Sequence, residues 1–216
     1  MTKEESKTAK RDTYRHGDLY QALLQAGVEL ARHAGPEAVV LREVTRRVGV
    51  VPNAAYRHFA DRAALLNAVC DRAQAALAIT IEAEIAAIKR AKEHPALYAR
   101  SVLRAVGTGY LGFAQAEPGL FRTAFSVPAG LETAASATKA GNSGRSPFQL
   151  LSGALDLMAE AGILPPERRF GAEFLAWSAV HGLAMLVIDG PLRSLDATQK
   201  NAISQRLLDM VENGLT

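Results

Sequence analysis

LREVTRRVGVVPNAAYRHF, residues 41–59, holds two short helical patterns that meet at a glycine with a proline just beyond it. In the first, Leu41, Val44, Thr45 and Val48 share one face by three- and four-residue spacing, which leaves Arg42, Glu43, Arg46 and Arg47 for solvent or a partner. Gly49 tolerates the positive φ that closes a helix. Val50 and Val51 continue a helix poorly, and Pro52 suits the first turn of the next one, where its missing N–H is no loss. The layout is a helix-turn-helix. Its second helix carries Asn53, Tyr56, Arg57 and His58, all able to hydrogen-bond, while Ala54 and Ala55 keep that surface slim enough for a major groove about 12 Å wide.

Upstream, Asp18 is placed to cap a helix in which Leu19, Leu23, Ala26 and Leu30 oppose Gln21, Gln25, Glu29 and Arg32, and which stops near Gly35-Pro36. Such a helix can pack across the motif, which has too little core to fold alone. Residues 1–14 read as a flexible polar leader without the apolar run of a signal peptide, so a cytoplasmic location is expected. Downstream, Asp61 can cap a long helix with Leu65, Leu66, Val69, Ala73, Leu77, Ile81, Ile85 and Ile88 on its buried side, running to about Arg90. At 1.5 Å per residue it spans about 40 Å, beyond the reach of a small domain, and so becomes a rigid connector. The expected division is 1–14 leader, 15–66 helix-turn-helix domain, and 67–216 a second helical domain.

Charge follows the same division. Residues 1–66 hold 11 Lys and Arg against 8 Asp and Glu, and residues 67–216 hold 14 against 14, so the net +3 lies wholly in the first part. That asymmetry favours a nucleic-acid partner for the N-terminal third. The single cysteine, Cys70, excludes an internal disulfide and a cysteine-based zinc site, and reads as a small buried hydrophobe.

The Gly-Val turn, the Tyr56-Arg57-His58-Phe59 ending and the following Asp61, Arg62 and Leu65 resemble the DNA-binding domain of the TetR family of one-component transcriptional regulators, over residues 15–75. Val40 and Val51 depart from the family's usual capping threonine or serine, Val44-Thr45 stands for its Ile-Ala, and Arg62 for a frequent lysine. The resemblance implies a repressor of double-stranded operator DNA. Arg42, Asn53, Ala54 and Arg57 would face base edges, while Tyr56, His58 and Arg62 would bind phosphates. Arg46 and Arg47 stay open between DNA contact and a solvated face.

Beyond the connector, Pro95 opens a helical pattern to about Ala116, Glu117-Pro118-Gly119 breaks it, and a short segment holds Leu120, Phe121 and Phe125. Residues 126–146, rich in Gly, Ser, Ala and Thr, read as a loop or mobile segment. A helix from Pro147 to about Ala161 follows. Between Arg168 and Ile188 the chain is apolar nearly all round, with Phe170, Phe174, Trp177, His181, Ala184 and Ile188 on one side and Ala172, Ala176, Ala179, Leu183 and Val187 on the other. One face can meet its own domain and the other a second copy. With a last helix from Asp196 to about Asn213, this predicts a homodimer through the last two helices. Ser178 and His181 within a short apolar run argue against a membrane.

Trp177, His181 and Gly182 resemble the tryptophan-histidine-glycine C-terminal domain of some TetR-family members. That likeness implies a ligand chamber lined by Trp177 and His181. Because the long connector joins the two domains, a mostly apolar chamber for a small apolar or amphipathic effector is expected, lined by some of Tyr110, Phe113, Phe121, Phe125, Met158, Trp177, His181 and Met185, each of which could equally be ordinary core. The alternative makes Trp177 and His181 ordinary interior residues, the histidine bonded to a backbone carbonyl.

The rival class is a helical enzyme or a structural helical protein. Gly107, Gly109 and Gly112 satisfy G-x-G-x-x-G, but inside a helical pattern rather than after a strand, which points to close packing or bending. No catalytic residue, cofactor or metal ligand is nominated. The expected fold is all-α, with about nine helices in an N-terminal helix-turn-helix domain and a C-terminal ligand-binding and dimerisation domain.

Overall fold

A computed structural model describes residues 16–88 and 94–216. The leader and the expected helix end near Arg90 lie outside the described residues. Ten α-helices are found among those described, with no strand: α1 His16–Ala34, α2 Leu41–Val48, α3 Pro52–Ala55, α4 Arg62–Ala86, α5 Pro95–Ala116, α6 Pro118–Ala124, α7 Pro147–Glu160, α8 Pro166–Arg169, α9 Ala172–Ile188 and α10 Ala197–Leu215.

Local chemistry accounts for most of these boundaries. Gly49 closes α2 at φ 76°, with its N–H on the Thr45 carbonyl, and Pro52 opens α3. Asp61 caps α4 by accepting from the Ala64 N–H at 2.8 Å. Ser146 with Gln149, and Asp196 with Gln199, form reciprocal capping boxes on α7 and α10. Periodicity alone extends α9 back to Arg168. Gly171, at φ 79°, instead breaks that run and makes α8 a separate turn.

α4 packs against α1, α5, α6 and α7 and so belongs to both halves of the molecule. It is the one helix among the described residues with the length and apolar composition of a membrane span. Its Leu65, Val69, Ala73, Leu77 and Ile81 are all fully buried in the protein core. The first two glycines of the G-x-G-x-x-G run set helix separation: a Cβ on Gly107 would lie 2.3 Å from Leu208 Cδ2, and one on Gly109 would lie 2.8 Å from the Ile81 Cα. Gly112 faces open space.

Residues 126–146 are folded, with two short 3-10 turns, Leu131–Thr133 and Ala137–Lys139, the second of them held on α4. Glu82 gathers this segment, accepting from the Asn142 and Ser143 N–H groups and the Ser143 hydroxyl, and Asp71 accepts from the Thr138 hydroxyl. A carboxylate with that many donors organises a glycine- and serine-rich stretch that has no apolar pattern of its own.

Candidate nucleic-acid interface and ligand chamber

In the helix-turn-helix, Leu41, Val44 and Thr45 bury one face of α2 while Arg42 points outward. α3 is a single turn; the residues that follow continue it through the His58 and Phe59 N–H bonds to the Ala55 carbonyl. Asn53, Tyr56 and Arg57 are exposed and Ala54 is half-buried. His58 is half-buried and turned toward Tyr20, ring centroids 6.2 Å apart, while Tyr20 stacks on Phe59 at 5.0 Å.

Arg62 is exposed but bonded to the backbone beside it. Its guanidinium donates to the Val39 and Pro36 carbonyls at 2.9 Å each, tying the start of α4 to the turn before α2. Arg46 makes a two-point contact with Glu43, and Arg47 a longer one. The hydrogen bonds from Arg46 foremost hold the Glu43 carboxyl down to about 2. Both arginines therefore serve an ion-paired face of α2.

The C-terminal half encloses a cavity of about 280 Å³ between α4, α5, α7, α9, α10 and the folded segment after α6. Tyr110, Phe125 and Trp177 line it. Phe121 and Met158 are fully buried in the core, Phe113 borders a separate cavity of about 260 Å³ beside α1, and Met185 is exposed on the far side of α9. The lining from 127 to 139 escaped sequence reading, because its residues carry no periodic signal and reach the chamber only through their anchoring on α4.

Beside the chamber, Trp177 Nε1 donates to Tyr110 Oη at 3.1 Å, and Tyr110 Oη lies 2.8 Å from His181 Nδ1. Burial pushes the Tyr110 phenol up, so it stays protonated and donates to His181. Burial also lowers the His181 pKa, which keeps the ring neutral with Nδ1 as acceptor. Its partner is thus a tyrosine 71 residues away rather than a backbone carbonyl. Phe121 and Phe125 pack on this trio, 5.6 and 5.0 Å from the imidazole.

Tyr110→Phe should cost about 1–3 kcal/mol in denaturant unfolding, since it leaves the indole N–H and the imidazole nitrogen without their partner. In the unaltered protein, the folded state resists binding a proton that the unfolded histidine takes up near its usual pKa of 6.5. Stability is therefore full above that pH and falls as the pH drops through it. A melting profile flat between neutral and acidic pH would contradict this arrangement.

The family model described as "Bacterial regulatory proteins, tetR family" matches residues 23–69, and "Tetracyclin repressor-like, C-terminal domain" matches residues 103–211. The chain belongs to the TetR family, and it is a DNA-binding transcriptional regulator with a helix-turn-helix. Among solved structures, a protein of unknown function from Rhodococcus sp. RHA1 is similar at 24% identity and TM-score 0.71, covering 95% of this chain and 99% of that one. A candidate regulatory protein, SCO4313, is similar at 15% identity and TM-score 0.58, covering 92% and 98%. Both support the fold. No curated protein sequence matches the chain.

Proposed function

We propose that the protein is a cytoplasmic repressor that binds a palindromic operator as a homodimer and leaves it when a small apolar or amphipathic molecule fills the chamber. The observation that carries the DNA reading is the exposure of Arg42 on α2 and of Asn53, Tyr56 and Arg57 on the turn that α3 begins, with Ala54 half-buried among them. Arg42, Asn53, Ala54 and Arg57 read base edges, and Tyr56 holds a phosphate. His58 and Arg62, turned toward Tyr20 and the Val39 and Pro36 carbonyls, position the motif. G-x-G-x-x-G serves helix packing at Gly107 and Gly109, which removes the main support for an enzyme reading.

Dimerisation through α9 and α10 is supported by an open apolar stripe. Phe174, Leu175, Met185 and Leu186 are exposed along α9, with Ser178 and Gly182 between them, and Met210 is exposed on α10. Such a stripe on a folded monomer is an interaction surface, and the small residues let a second helix approach closely. Two-fold pairing presents two motifs to the DNA, so the half-sites are symmetric.

Selection of bound sequences from a random duplex pool tests the reading directly. Arg57→Ala should cost about 1–3 kcal/mol and blur one base position, whereas Tyr56→Phe should weaken all sequences alike. Unchanged affinity and an unchanged motif for Arg57→Ala would remove Arg57 from base readout.

A further inference from the structure

Lys139 is only 6% exposed, at the end of the second 3-10 turn, and it lines the chamber. Its ammonium donates to the Thr133 hydroxyl at 3.0 Å, and that hydroxyl in turn donates to the Gly130 carbonyl. Thr133 also lines the chamber, so the charged end of Lys139 stands at its wall.

The other two charged lining residues, Arg104 and Glu212, pair with each other across α5 and α10, and each has a further partner in Asp209 or Arg100. Asp71 and Glu82 face the same segment but are engaged by Thr138, Asn142 and Ser143. Among the described residues no carboxylate reaches ion-pair distance of Lys139, and Thr133 is the single hydrogen-bond partner of its side chain. Lysine is almost never buried this far unless paired, because withdrawing an ammonium from water is costly. One of its three N–H donors is used by Thr133, which leaves two for a ligand.

We propose that the chamber takes an organic anion, with its acidic head on Lys139 and Thr133 and its apolar body against Phe125, Leu151 and Trp177. The inference rests on the chamber being the effector site. Lysine acts as a point charge without arginine's planar fork, so a carboxylate or a sulfate head satisfies it equally in geometry. The anion also reaches the DNA-binding half, because the Lys139 segment is fastened to α4 through Asp71 and Glu82.

Trp177, the single tryptophan, lines the chamber and reports occupancy by fluorescence. The full chain is titrated with linear alkyl carboxylates, alkyl sulfates, alcohols and alkyltrimethylammonium salts of matched chain length. Carboxylates or sulfates should bind roughly 10- to 100-fold more tightly than the alcohols, and the ammonium salts more weakly than the alcohols. Each added methylene should tighten binding about four-fold until the chamber is full.

Lys139→Met should erase the preference for anions over alcohols, with an unchanged circular dichroism spectrum and cooperative melting as the check that the variant folds. Whichever of carboxylate and sulfate binds more tightly identifies the head group. Equal affinities for anion and alcohol in the unaltered protein, or a preference that survives in Lys139→Met, would overturn the inference while leaving the chamber reading in place. Absence of saturable binding by every probe would overturn the chamber reading itself.

Discussion

Raising the salt from about 50 to about 200 mM is expected to weaken operator binding by about 10³- to 10⁵-fold, for a dimer that neutralises roughly 6 to 10 phosphates. Each contacted phosphate releases condensed counterions from the duplex, and that release is opposed as salt rises. The protein carries a net +3, all of it in residues 1–66, so the steepness comes from local contacts and not from a strongly basic surface. Arg46 and Arg47 are held on Glu43, and Arg62 on backbone carbonyls. These three should contribute little to the slope, whereas Arg42 and Arg57 remain available. Fluorescence anisotropy on the selected operator over a salt series measures it. A slope near zero, or one unaffected by Arg57→Ala while falling with Arg62→Ala, would reverse this ranking of the arginines.

Gly119→Val is expected to destabilise the protein by about 2–4 kcal/mol, a fall of roughly 5–15 °C in Tm for a chain of this size. Even the first added carbon would lie 2.3 Å from the Arg32 carbonyl oxygen and 2.4 Å from that of Ala31. Both are backbone atoms in the last turn of α1, so no side-chain rotation relieves the overlap. α1 and α6 would have to separate. That joint, which the Arg32–Glu117 ion pair at 3.0 Å also spans, connects the helix-turn-helix to the helix whose Phe121 packs beside the chamber aromatics. Operator affinity should therefore fall with stability. Gly112→Ala is the control: its added carbon meets nothing within 4 Å, and the gain in helix propensity should stabilise by about 0.5–1 kcal/mol. Equal melting of the Gly119 and Gly112 variants would show that the α1–α6 joint does not depend on close backbone approach.

The sequence by itself determined the features that depend on neighbours within a few residues. The Gly49 turn, the Pro52 start, the Asp61 and Asp196 caps and the inward faces of α2 and α4 each follow from local geometry and spacing, as does the helix-turn-helix that exposes Arg42, Asn53, Tyr56 and Arg57. Tertiary structure alone decided the rest. Only packing turns Trp177 and His181 inward to Tyr110 and leaves Phe174, Leu175, Met185 and Leu186 as the open stripe of α9, since a helix apolar on every side carries no mark of which face is covered. The bonds of Arg62 to carbonyls 23 and 26 residues earlier likewise leave no mark in the local sequence. Residues 126–146 look like a spacer until Asp71 and Glu82, more than 50 residues away, fold them onto α4 and bring Lys139 to the chamber. Such contacts join groups distant in sequence, and their energy comes from desolvation and hydrogen bonding that exist only once the chain has closed around them.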